Sequence, residues 1–230
     1  MSKKLQNTAI LIFANSSTEE ARQKSFYQGE SFFEALNAHC LETVQKTGIP
    51  YFLFTEKEQV GADFGARFVN AITCVYNKGF ENIITVGNDT PHLSSSQLLT
   101  TAKLLEKNKF VLGPSRDGGF YLMGLHRSQF DPTSFLKLPW QTSRLSKCID
   151  LLIKKANIEV VRLKVLTDVD KFNDLKNILN SYKSLGRRLK RIILALLQFG
   201  EKIFNIIWLE KFQLEQQNLY NKGSPKILHH

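Results

Sequence analysis

Residues 81–97 read ENIITVGNDTPHLSSSQ, which has the pattern of a buried strand followed by a polar turn. The mainly apolar run at 83–86 ends in a glycine, which is typical of a buried strand that stops abruptly. A polar turn follows at once and places the carboxylate of Asp89 just beyond the strand. Asp89 is therefore either a turn residue that bonds its own downstream backbone or one ligand of a divalent metal ion.

The segment after Asp89 carries its own signal for the start of a helix. Ser94 and Gln97 have the spacing of a capping box, which predicts a helix from residue 95 onward. Because that helix already has a cap, Asp89 is not needed for this purpose.

Strand-like runs alternate with helical patterns along most of the chain. The predicted strands are Thr8–Ala14, Tyr51–Thr55, Asn82–Gly87, Phe110–Gly113, Phe120–Gly124 and Glu159–Val165. The predicted helices are Gly29–Lys46, Asp63–Asn77, Ser95–Lys107 and Thr142–Lys155. This rhythm predicts an α/β fold, a single Rossmann-like domain with a mostly parallel central sheet flanked by helices on both faces. Ligands bind beyond the carboxyl ends of strands in such sheets, so the residues that follow each strand are the candidate site.

Composition and charge are those of an ordinary globular protein. The 230 residues are 43% hydrophobic and 23% charged, with a net charge of +10. Residues 181–230 carry 9 Lys and Arg against 3 acidic residues, so the rest of the chain is only mildly basic and argues against a nucleic-acid partner. Three scattered cysteines, expected to be buried, and the lack of a signal-peptide pattern predict a cytoplasmic location.

The second candidate segment is GPSRDGGFYLMGL at 113–125. Asp117-Gly118-Gly119 between two strand-like runs predicts a hairpin, and a tight glycine turn is equally suited to lie under a sugar or phosphate. Asp117 is the candidate for acceptor contact or for the general base. Arg116 is either solvated or a contact for a diphosphate.

The third candidate segment is VLTDVDKFNDL at 165–175. Asp168 and Asp170 follow the last predicted strand, and we expect their side chains to point to opposite sides. One then faces the cleft, while the other, with Asp170 as the candidate, caps a helix that begins near Lys171. A carboxylate that meets Asp89 across the cleft would complete a divalent-metal site for a nucleotide diphosphate.

Two further residues lie close to these segments. His92 is expected at the surface. Trp140 belongs to LPWQTSRL at 138–145, a loop before a helix that Thr142 or Ser143 is expected to cap. The Trp140 ring either lines an acceptor pocket or packs under the loop. The sequence contains no phosphate-loop, dinucleotide-binding or zinc-protease motif.

Five motifs, in this order, resemble a bacterial family of glycosyltransferase-like proteins with the GT-A, or nucleotide-diphospho-sugar transferase, fold. The motifs are GADFGAR at 61–67, VGNDTP at 86–91, VLGPSRDGGFYLMGL at 111–125, LPWQTSRL at 138–145 and LTDVDKFNDL at 166–175. The family is related to guanylyltransferases that act on 2-phospholactate and on molybdopterin. The resemblance covers roughly residues 8–180.

The resemblance implies a nucleotide-linked donor together with Mg²⁺ or Mn²⁺. Asp89 matches one metal-binding carboxylate of that fold, and Asp168 or Asp170 matches the second. Asp117 and the two glycines after it match the segment that lines the donor or acceptor cleft. The residues predicted to bind substrate lie at strand ends or in the matching motifs; they are Asn15, Arg67, Asn88, Arg116, Gly118, Gly119 and Trp140.

The loop after the first strand departs from the family pattern. Relatives carry Pro, Gly and a Lys-Thr-Arg triplet there, whereas this chain reads FANSSTEEARQKSF at 13–26. An anion-binding loop needs free backbone N–H groups and positive charge, so Glu19 and Glu20 oppose that use. Arg22 and Lys24 are basic but differently placed. Nucleotidyl transfer is therefore less expected than glycosyl transfer from a differently held donor.

The sequence pattern changes near residue 184. A transferase-like domain is expected at 1–182, followed by a basic amphipathic helical extension and tail at 183–230. Polar residues within the apolar stretch 192–209 argue against a membrane-spanning helix. The part at 184–210 is expected either to pack on the domain or on a second subunit, or to lie on the inner membrane face as a peripheral contact.

Three functions are compatible with these features. The first is a metal-dependent transferase that uses a nucleotide-activated sugar donor. The second is a nucleotidyltransferase that makes a nucleotide-linked metabolite, and the third is a non-catalytic scaffold with the same fold. The expected partner is accordingly a nucleotide sugar or a nucleotide.

Overall fold

The computed structural model describes residues 7–24, 29–181 and 185–199. Within these residues one sheet contains the strands β1 Thr8–Phe13, β2 Tyr51–Phe54, β3 Asn82–Val86, β4 Phe110–Pro114, β5 Phe120–His126 and β6 Val160–Arg162. The helices are α1 Ser17–Gln23, α2 Gly29–Gln45, α3 Phe64–Asn77, α4 Ser95–Leu105, α5 Pro132–Leu136, α6 Leu145–Lys155 and α7 Asp174–Leu179, followed by α8 at 187–199.

The sheet is mostly parallel, as predicted. Its strand order is β2-β1-β3-β5-β4-β6, and β5 is the strand that runs antiparallel to both of its neighbours. β4 and β5 form the hairpin that the Asp-Gly-Gly sequence predicted. Val86 of β3 pairs with Leu122 of β5, so the hairpin turn stands beside the carboxyl end of β3.

Helices cover both faces of the sheet, because the side chains of β3 alternate between two hydrophobic clusters. Ile83 packs in the cluster that contains α3, α5 and α6, whereas Ile84 and Val86 pack in the cluster that contains α2 and α4. All five residues of β3 are buried, as expected for a strand with helices on both sides. The predicted capping box of Ser94 and Gln97 starts α4.

A third hydrophobic cluster joins α2, α7 and α8. Phe32 and Phe33 of α2 lie in it together with Leu189 and Ile193 of α8. The described part of the C-terminal extension therefore buries an apolar stripe against the domain. No helix in the described ranges is long and apolar enough to cross a membrane. The rest of the predicted contact region at 184–210, from residue 200 onward, lies outside the described residues.

Several local expectations are wrong. His92 is buried, and its Nε2 lies 3.2 Å from the carbonyl oxygen of Ile178. Neither Thr142 nor Ser143 caps α6, because that helix begins three residues later than predicted and has Arg144 at its N-cap. Cys74 is exposed rather than buried. The sequence pattern also did not predict α1, the short helix that follows β1.

Candidate active site

A cavity of about 420 Å³ opens at the carboxyl ends of β1 and β3, beside the β4–β5 turn. This is the edge of the sheet at which the fold predicts a ligand. Most of the predicted site residues line it: Asn15, Arg67, Asn88, Asp89, Asp117, Gly119, Trp140, Asp168 and Asp170. Arg116 is exposed and, like Gly118, does not line the cavity.

Two chain segments bring the carboxylates of the cavity together. The loop after β3 carries Asp89, and the segment after β6 carries Asp168 and Asp170. The segments are joined by a hydrogen bond from the backbone N–H of Val169 to the carbonyl oxygen of Asp89, 2.9 Å long. A second bond of 2.5 Å runs from the Thr90 hydroxyl to the carboxylate of Asp168. The two segments that carry the carboxylates are thus joined by one backbone bond and one side-chain bond.

The expectation that Asp168 and Asp170 point to opposite sides is wrong. Residues two apart in an extended segment share a face, and both side chains line the cavity while Val169 between them is fully buried. Asp170 does not cap α7 either. Instead, Asp174 in the first turn of α7 bonds back to the preceding residues: its carboxylate accepts hydrogen bonds from the backbone N–H groups of Asp170 and Lys171, at 3.1 and 2.7 Å.

Lys24, the C-cap residue of α1, places its ammonium group among these carboxylates. Its Nζ lies 3.2 Å from Oδ1 of Asp170 and 3.5 Å from Oδ2 of Asp89. Glu20, one turn earlier on α1, brings its Oε2 to 3.5 Å. The ammonium also donates a 2.9 Å hydrogen bond to the carbonyl oxygen of Val169. We call Glu20, Asp89, Asp168 and Asp170 the acidic cluster.

Burial and mutual repulsion perturb the acidic cluster. Burial raises the pKa of Asp89, with a further contribution from Asp170, while Lys24 acts in the opposite direction. Burial, supported by the nearby charge of Asp89, raises the pKa of Asp168 to about 7. Burial also raises the pKa of Glu20. For Lys24 burial acts to lower the pKa, but the surrounding carboxylates outweigh it and raise the pKa well above its ordinary value.

The donor set has the chemistry that Mg²⁺ and Mn²⁺ prefer. Such ions take one or two protein carboxylates and complete their coordination with water and substrate phosphates. Asp89 together with Asp168 or Asp170 would supply those carboxylates. In the described part of the chain, no three acidic, histidine or cysteine side chains already surround a common point. The space between Asp89 and Asp170 contains the Lys24 ammonium.

The loop after β1 is tied to the end of β2 by a carboxylate. Glu56 accepts hydrogen bonds from the backbone N–H and the hydroxyl of Ser16, at 2.7 and 2.8 Å. Ser16 is also the N-cap of α1. The Asn15 amide donates a 3.4 Å hydrogen bond to Glu20. The Ser16 N–H group of this loop is therefore already paired with a protein anion.

Arg67 supplies a second positive charge to the cavity. It lies in the first turns of α3 and lines the cavity wall. Its Nε is buried and has no hydrogen-bond partner among the described residues. A buried guanidinium N–H without a partner is costly, and the guanidinium group as a whole is chemically suited to pair with a phosphate.

The β4–β5 turn is stabilised by its own aspartate. Oδ1 of Asp117 accepts the backbone N–H of Gly119 at 3.0 Å and also the hydroxyl of Ser115. Gly118 has a φ of +95°, a conformation that L side chains rarely adopt. Both interpretations of this segment are compatible with the structure, since Asp117 shapes the turn and also faces the cavity.

Aromatic rings also line the cavity. Trp140 packs edge to face on Phe68, with ring centroids 5.0 Å apart, and its indole N–H donates to the carbonyl oxygen of Phe135 at 2.8 Å. A Cβ on Gly65 would stand 2.5 Å from Cδ1 of Trp140, so this glycine makes room for the ring. Trp140 both packs under its loop and lines the cavity.

Comparison with known proteins agrees with this architecture. Residues 35–142 match the bacterial family described as "Uncharacterized protein conserved in bacteria" (DUF2064). The structure is similar to that of a protein from Desulfovibrio desulfuricans G20, provisionally assigned as a nucleotide-diphospho-sugar transferase. The TM-score is 0.71 at 19% identity, over 84% of this chain and 97% of the other. The chain has the nucleotide-diphospho-sugar transferase fold. The resemblance inferred from the five motifs is thereby confirmed at the level of the fold.

Two further solved structures are more distantly similar. One is the manganese complex of Rv0371c from Mycobacterium tuberculosis H37Rv, with a TM-score of 0.45 and 13% identity over 76% of this chain and 98% of the other. The second is 4-diphosphocytidyl-2C-methyl-D-erythritol synthase from Anaerococcus prevotii DSM 20548, with a TM-score of 0.46 and 14% identity over 83% and 98%. No curated protein matches the sequence significantly.

Sequence reasoning missed three residues that shape this transferase-fold site. Lys24 and Glu20 are four residues apart, the spacing of a helical ion pair, and that signal was usable once a helix was placed after β1. Glu56 gave no local signal, because its partner Ser16 is 40 residues away in the sequence.

Proposed function

We propose that the protein is a metal-dependent transferase that acts on a nucleotide-activated sugar. The observation that carries this proposal is the convergence of Asp89, Asp168 and Asp170 on one cavity at the carboxyl edge of the sheet. In this proposal Asp89, with Asp168 or Asp170, holds Mg²⁺ or Mn²⁺. The bound ion would neutralise the diphosphate of the donor and so stabilise the departing nucleoside diphosphate.

The lining of the cavity combines charged, polar and aromatic side chains. In the proposed complex the Arg67 guanidinium pairs with a phosphate oxygen, because its buried Nε is without a partner among the described residues. Asn15 and Asn88 line the cavity at the ends of β1 and β3, and in the proposed complex their amide oxygens accept hydrogen bonds from the nucleoside while their N–H groups stay bonded to Glu20 and Asn37. Trp140 and Gly119 lie in the wall and the turn, where a sugar ring would contact a flat apolar surface and exposed backbone.

The reaction proposed is displacement at the anomeric carbon of the donor sugar. The bond from that carbon to the diphosphate oxygen breaks, and a bond to the acceptor oxygen forms. The acceptor proton passes to Asp117, whose Oδ2 remains available after Oδ1 has bonded Gly119 and Ser115. The diphosphate leaves with the electron pair of the broken bond, toward the guanidinium group of Arg67.

A thermal-shift screen tests this function. Nucleoside diphosphate sugars, nucleoside diphosphates and nucleoside triphosphates are compared with and without Mn²⁺. We expect stabilisation by a diphosphate-containing ligand that requires Mn²⁺ and disappears in Asp89→Ala. Asp150→Asn is the matched control, since Asp150 is a half-exposed carboxylate paired with Arg162 outside the cavity. Failure of every nucleotide to stabilise the protein in the presence of Mn²⁺ would sink the proposal.

Product analysis separates the two enzymatic alternatives. Glycosyl transfer releases a nucleoside diphosphate, whereas nucleotidyl transfer consumes a triphosphate and releases pyrophosphate. Two features of the cavity favour glycosyl transfer. The Ser16 N–H is already bound by Glu56. The carboxylates of Glu19 and Glu20 also line the cavity, where they would repel a triphosphate at close range.

A second candidate function is nucleotide binding without catalysis, in a scaffold that retains the fold. The position of the Lys24 ammonium between Asp89 and Asp170 favours it, since that ammonium stands between the carboxylates proposed to hold the metal. Nucleotide-dependent stabilisation that is indifferent to Mn²⁺, with no turnover of any donor, is the result that would select this function.

A further inference from the structure

The ammonium of Lys24 is enclosed by oxygen atoms from four residues. They lie between 2.9 and 3.5 Å away and belong to the Val169 carbonyl and to the carboxylates of Glu20, Asp89 and Asp170. The Lys24 side chain is 19% exposed, so its charge is compensated mainly by these protein groups rather than by water. This is the oxygen-rich surrounding that a hard cation also requires.

Lys24 and a divalent ion cannot both occupy this cluster at low cost. An ion bound to Asp89 and Asp170 would stand within a few ångströms of the ammonium, and two positive charges at such a distance repel each other strongly in a partly buried site. The carboxylate oxygens that face Lys24 would also have to turn to the ion. Each cation therefore excludes the other.

We infer that Lys24 is the resident counter-ion of the acidic cluster and that a divalent cation binds only by displacing it. The inference rests on the proposed function in taking Mg²⁺ or Mn²⁺ as the incoming ion. Lys24 then sets the metal affinity of the site, because the ion must supply the interactions that the ammonium gives up. It also makes metal-free protein stable, since without any cation the carboxylates would repel one another.

The position of Lys24 in the chain fits this role. It is the C-cap residue of α1, and its backbone N–H bonds the carbonyl oxygen of Glu20 at 2.8 Å. Its side chain reaches the segment after β6 from a different part of the chain, 145 residues away at Val169. The ammonium can leave the cluster by rotation of its own flexible stem, without disturbing the Val169–Asp89 hydrogen bond that holds the carboxylates together.

Mn²⁺ binding to the full chain in the absence of nucleotide tests the inference. The EPR signal of free Mn²⁺ gives the affinity of the wild type, of Lys24→Met and of Lys109→Met. Lys109 pairs with Glu159 at the opposite edge of the sheet and is the matched control. We expect Lys24→Met to bind Mn²⁺ more tightly by about tenfold or more, and Lys109→Met to resemble the wild type. Equal affinity in Lys24→Met and wild type would overturn the inference.

A stability measurement accompanies the binding measurement. In a chelator, Lys24→Met should melt below the wild type, because the acidic cluster has lost its counter-ion. Saturating Mn²⁺ should return its melting temperature to that of the wild type or above it. Lys24→Arg keeps a cation in place. It should therefore show neither the lower melting temperature in a chelator nor the higher Mn²⁺ affinity.

Chemical labelling of the wild type needs no substitution and covers the case in which Lys24→Met does not fold. Acetylation of lysines by an activated ester is followed by mass spectrometry at Lys24 with and without saturating Mn²⁺. We expect Mn²⁺ to accelerate acetylation of Lys24 severalfold and to leave Lys109 unchanged. If Mn²⁺ binds and the acetylation rate of Lys24 does not change, the ion does not displace the Lys24 ammonium and the inference is wrong.

Failure of this inference is distinguishable from failure of the proposed function. Tighter Mn²⁺ binding by Lys24→Met, with no nucleotide stabilising either protein, supports the inference and overturns the transferase. Nucleotide stabilisation that depends on Mn²⁺, with no effect of Lys24→Met on Mn²⁺ affinity, supports the transferase and overturns the inference about Lys24.

Discussion

The hydroxyl of Thr90 donates a 2.5 Å hydrogen bond to the carboxylate of Asp168, across 78 positions of sequence. Together with the bond from Val169 to Asp89, it makes the loop after β3 and the segment after β6 a single unit. The positions of Asp89 and Asp168 in the chain are therefore fixed relative to each other before any ligand arrives. Such preorganisation is what a site for a charged ligand needs.

Removal of the Asp89 carboxylate should abolish metal-dependent ligand binding. We expect Asp89→Asn, which keeps the size of the side chain, to lose the Mn²⁺-dependent thermal shift and to reduce transfer by about 100-fold or more, because a metal contributes several kcal/mol of charge stabilisation. Calorimetric titration with Mn²⁺ and a nucleoside diphosphate measures the loss. Undiminished binding in Asp89→Asn would exclude Asp89 as a ligand.

The stability of the metal-free protein should depend on the titration of Asp168. The pKa of this group is about 7 in the folded protein against an ordinary value of 3.8, so the folded state holds a proton that the unfolded state has released. The contribution of Asp168 to the free energy of unfolding is therefore complete below pH ~4 and declines as the pH rises toward ~7. Asp168→Asn should resemble the wild type in acid and be more stable than the wild type at neutral pH.

Urea denaturation between acid and neutral pH, in a chelator, checks this prediction. Asp131→Asn is a control of opposite sign, since hydrogen bonds from Ser134 lower the pKa of Asp131 at the N-cap of α5. That contribution is present at neutral pH and is lost in acid. Asp131→Asn should therefore be less stable than the wild type at neutral pH, and the difference should shrink in acid. If the free energy of unfolding of Asp168→Asn changed with pH in parallel with that of the wild type, the predicted rise in the pKa of Asp168 would be refuted.

A methyl group on Gly65 should disturb the aromatic wall. Its Cβ would stand 2.5 Å from the Trp140 ring, so Gly65→Ala must displace Trp140 or α3. We expect a loss of about 1–3 kcal/mol in the free energy of unfolding, although alanine is normally the better helix former. Tryptophan fluorescence and urea denaturation report it. Cys74→Ala, at an exposed position of the same helix, should change little.

The buried stripe of α8 should contribute to global stability. Ile193 is fully buried against α2 and α7, whereas Leu194 beside it is 42% exposed. Ile193→Ala should lower the free energy of unfolding by about 2–5 kcal/mol, and Leu194→Ala by less than about 0.5 kcal/mol. Two-state denaturation of the full chain gives both values. Equal effects would mean that α8 does not pack as described.

The fold was predictable because its signals are local. The apolar run of β3, the capping box of Ser94 and the Asp-Gly-Gly hairpin each lie within a few residues, and each appears in the structure where the sequence placed it. The strand-end rule then pointed to Asp89, Asp117 and Asp168 as residues of one cleft. Helix ends were less predictable, as α6 shows, because it begins after Arg144 without a side-chain cap, while the Thr142 hydroxyl donates to the carbonyl oxygen of Pro139 instead.

The electrostatics of the site were not predictable in the same way. In the linear sequence Glu20 only indicates a negative charge that would oppose anion binding. In the structure it contacts the Lys24 ammonium and helps to enclose it. Glu56 pairs with Ser16 across the ends of two parallel strands. Both relationships depend on which loops the sheet brings together, and that information is not contained in any short stretch of residues.

Val169 gives the C-terminal helix an indirect role in the proposed active site. Its side chain is buried in the hydrophobic cluster that α8 completes, while its backbone N–H and carbonyl group face Asp89 and Lys24. A packing defect in α8 would thus loosen the backbone that spaces the carboxylates. Substitutions that abolish the proposed activity should accordingly be found not only around the cleft but also in the hydrophobic cluster behind it, where their effect would resemble a simple folding defect.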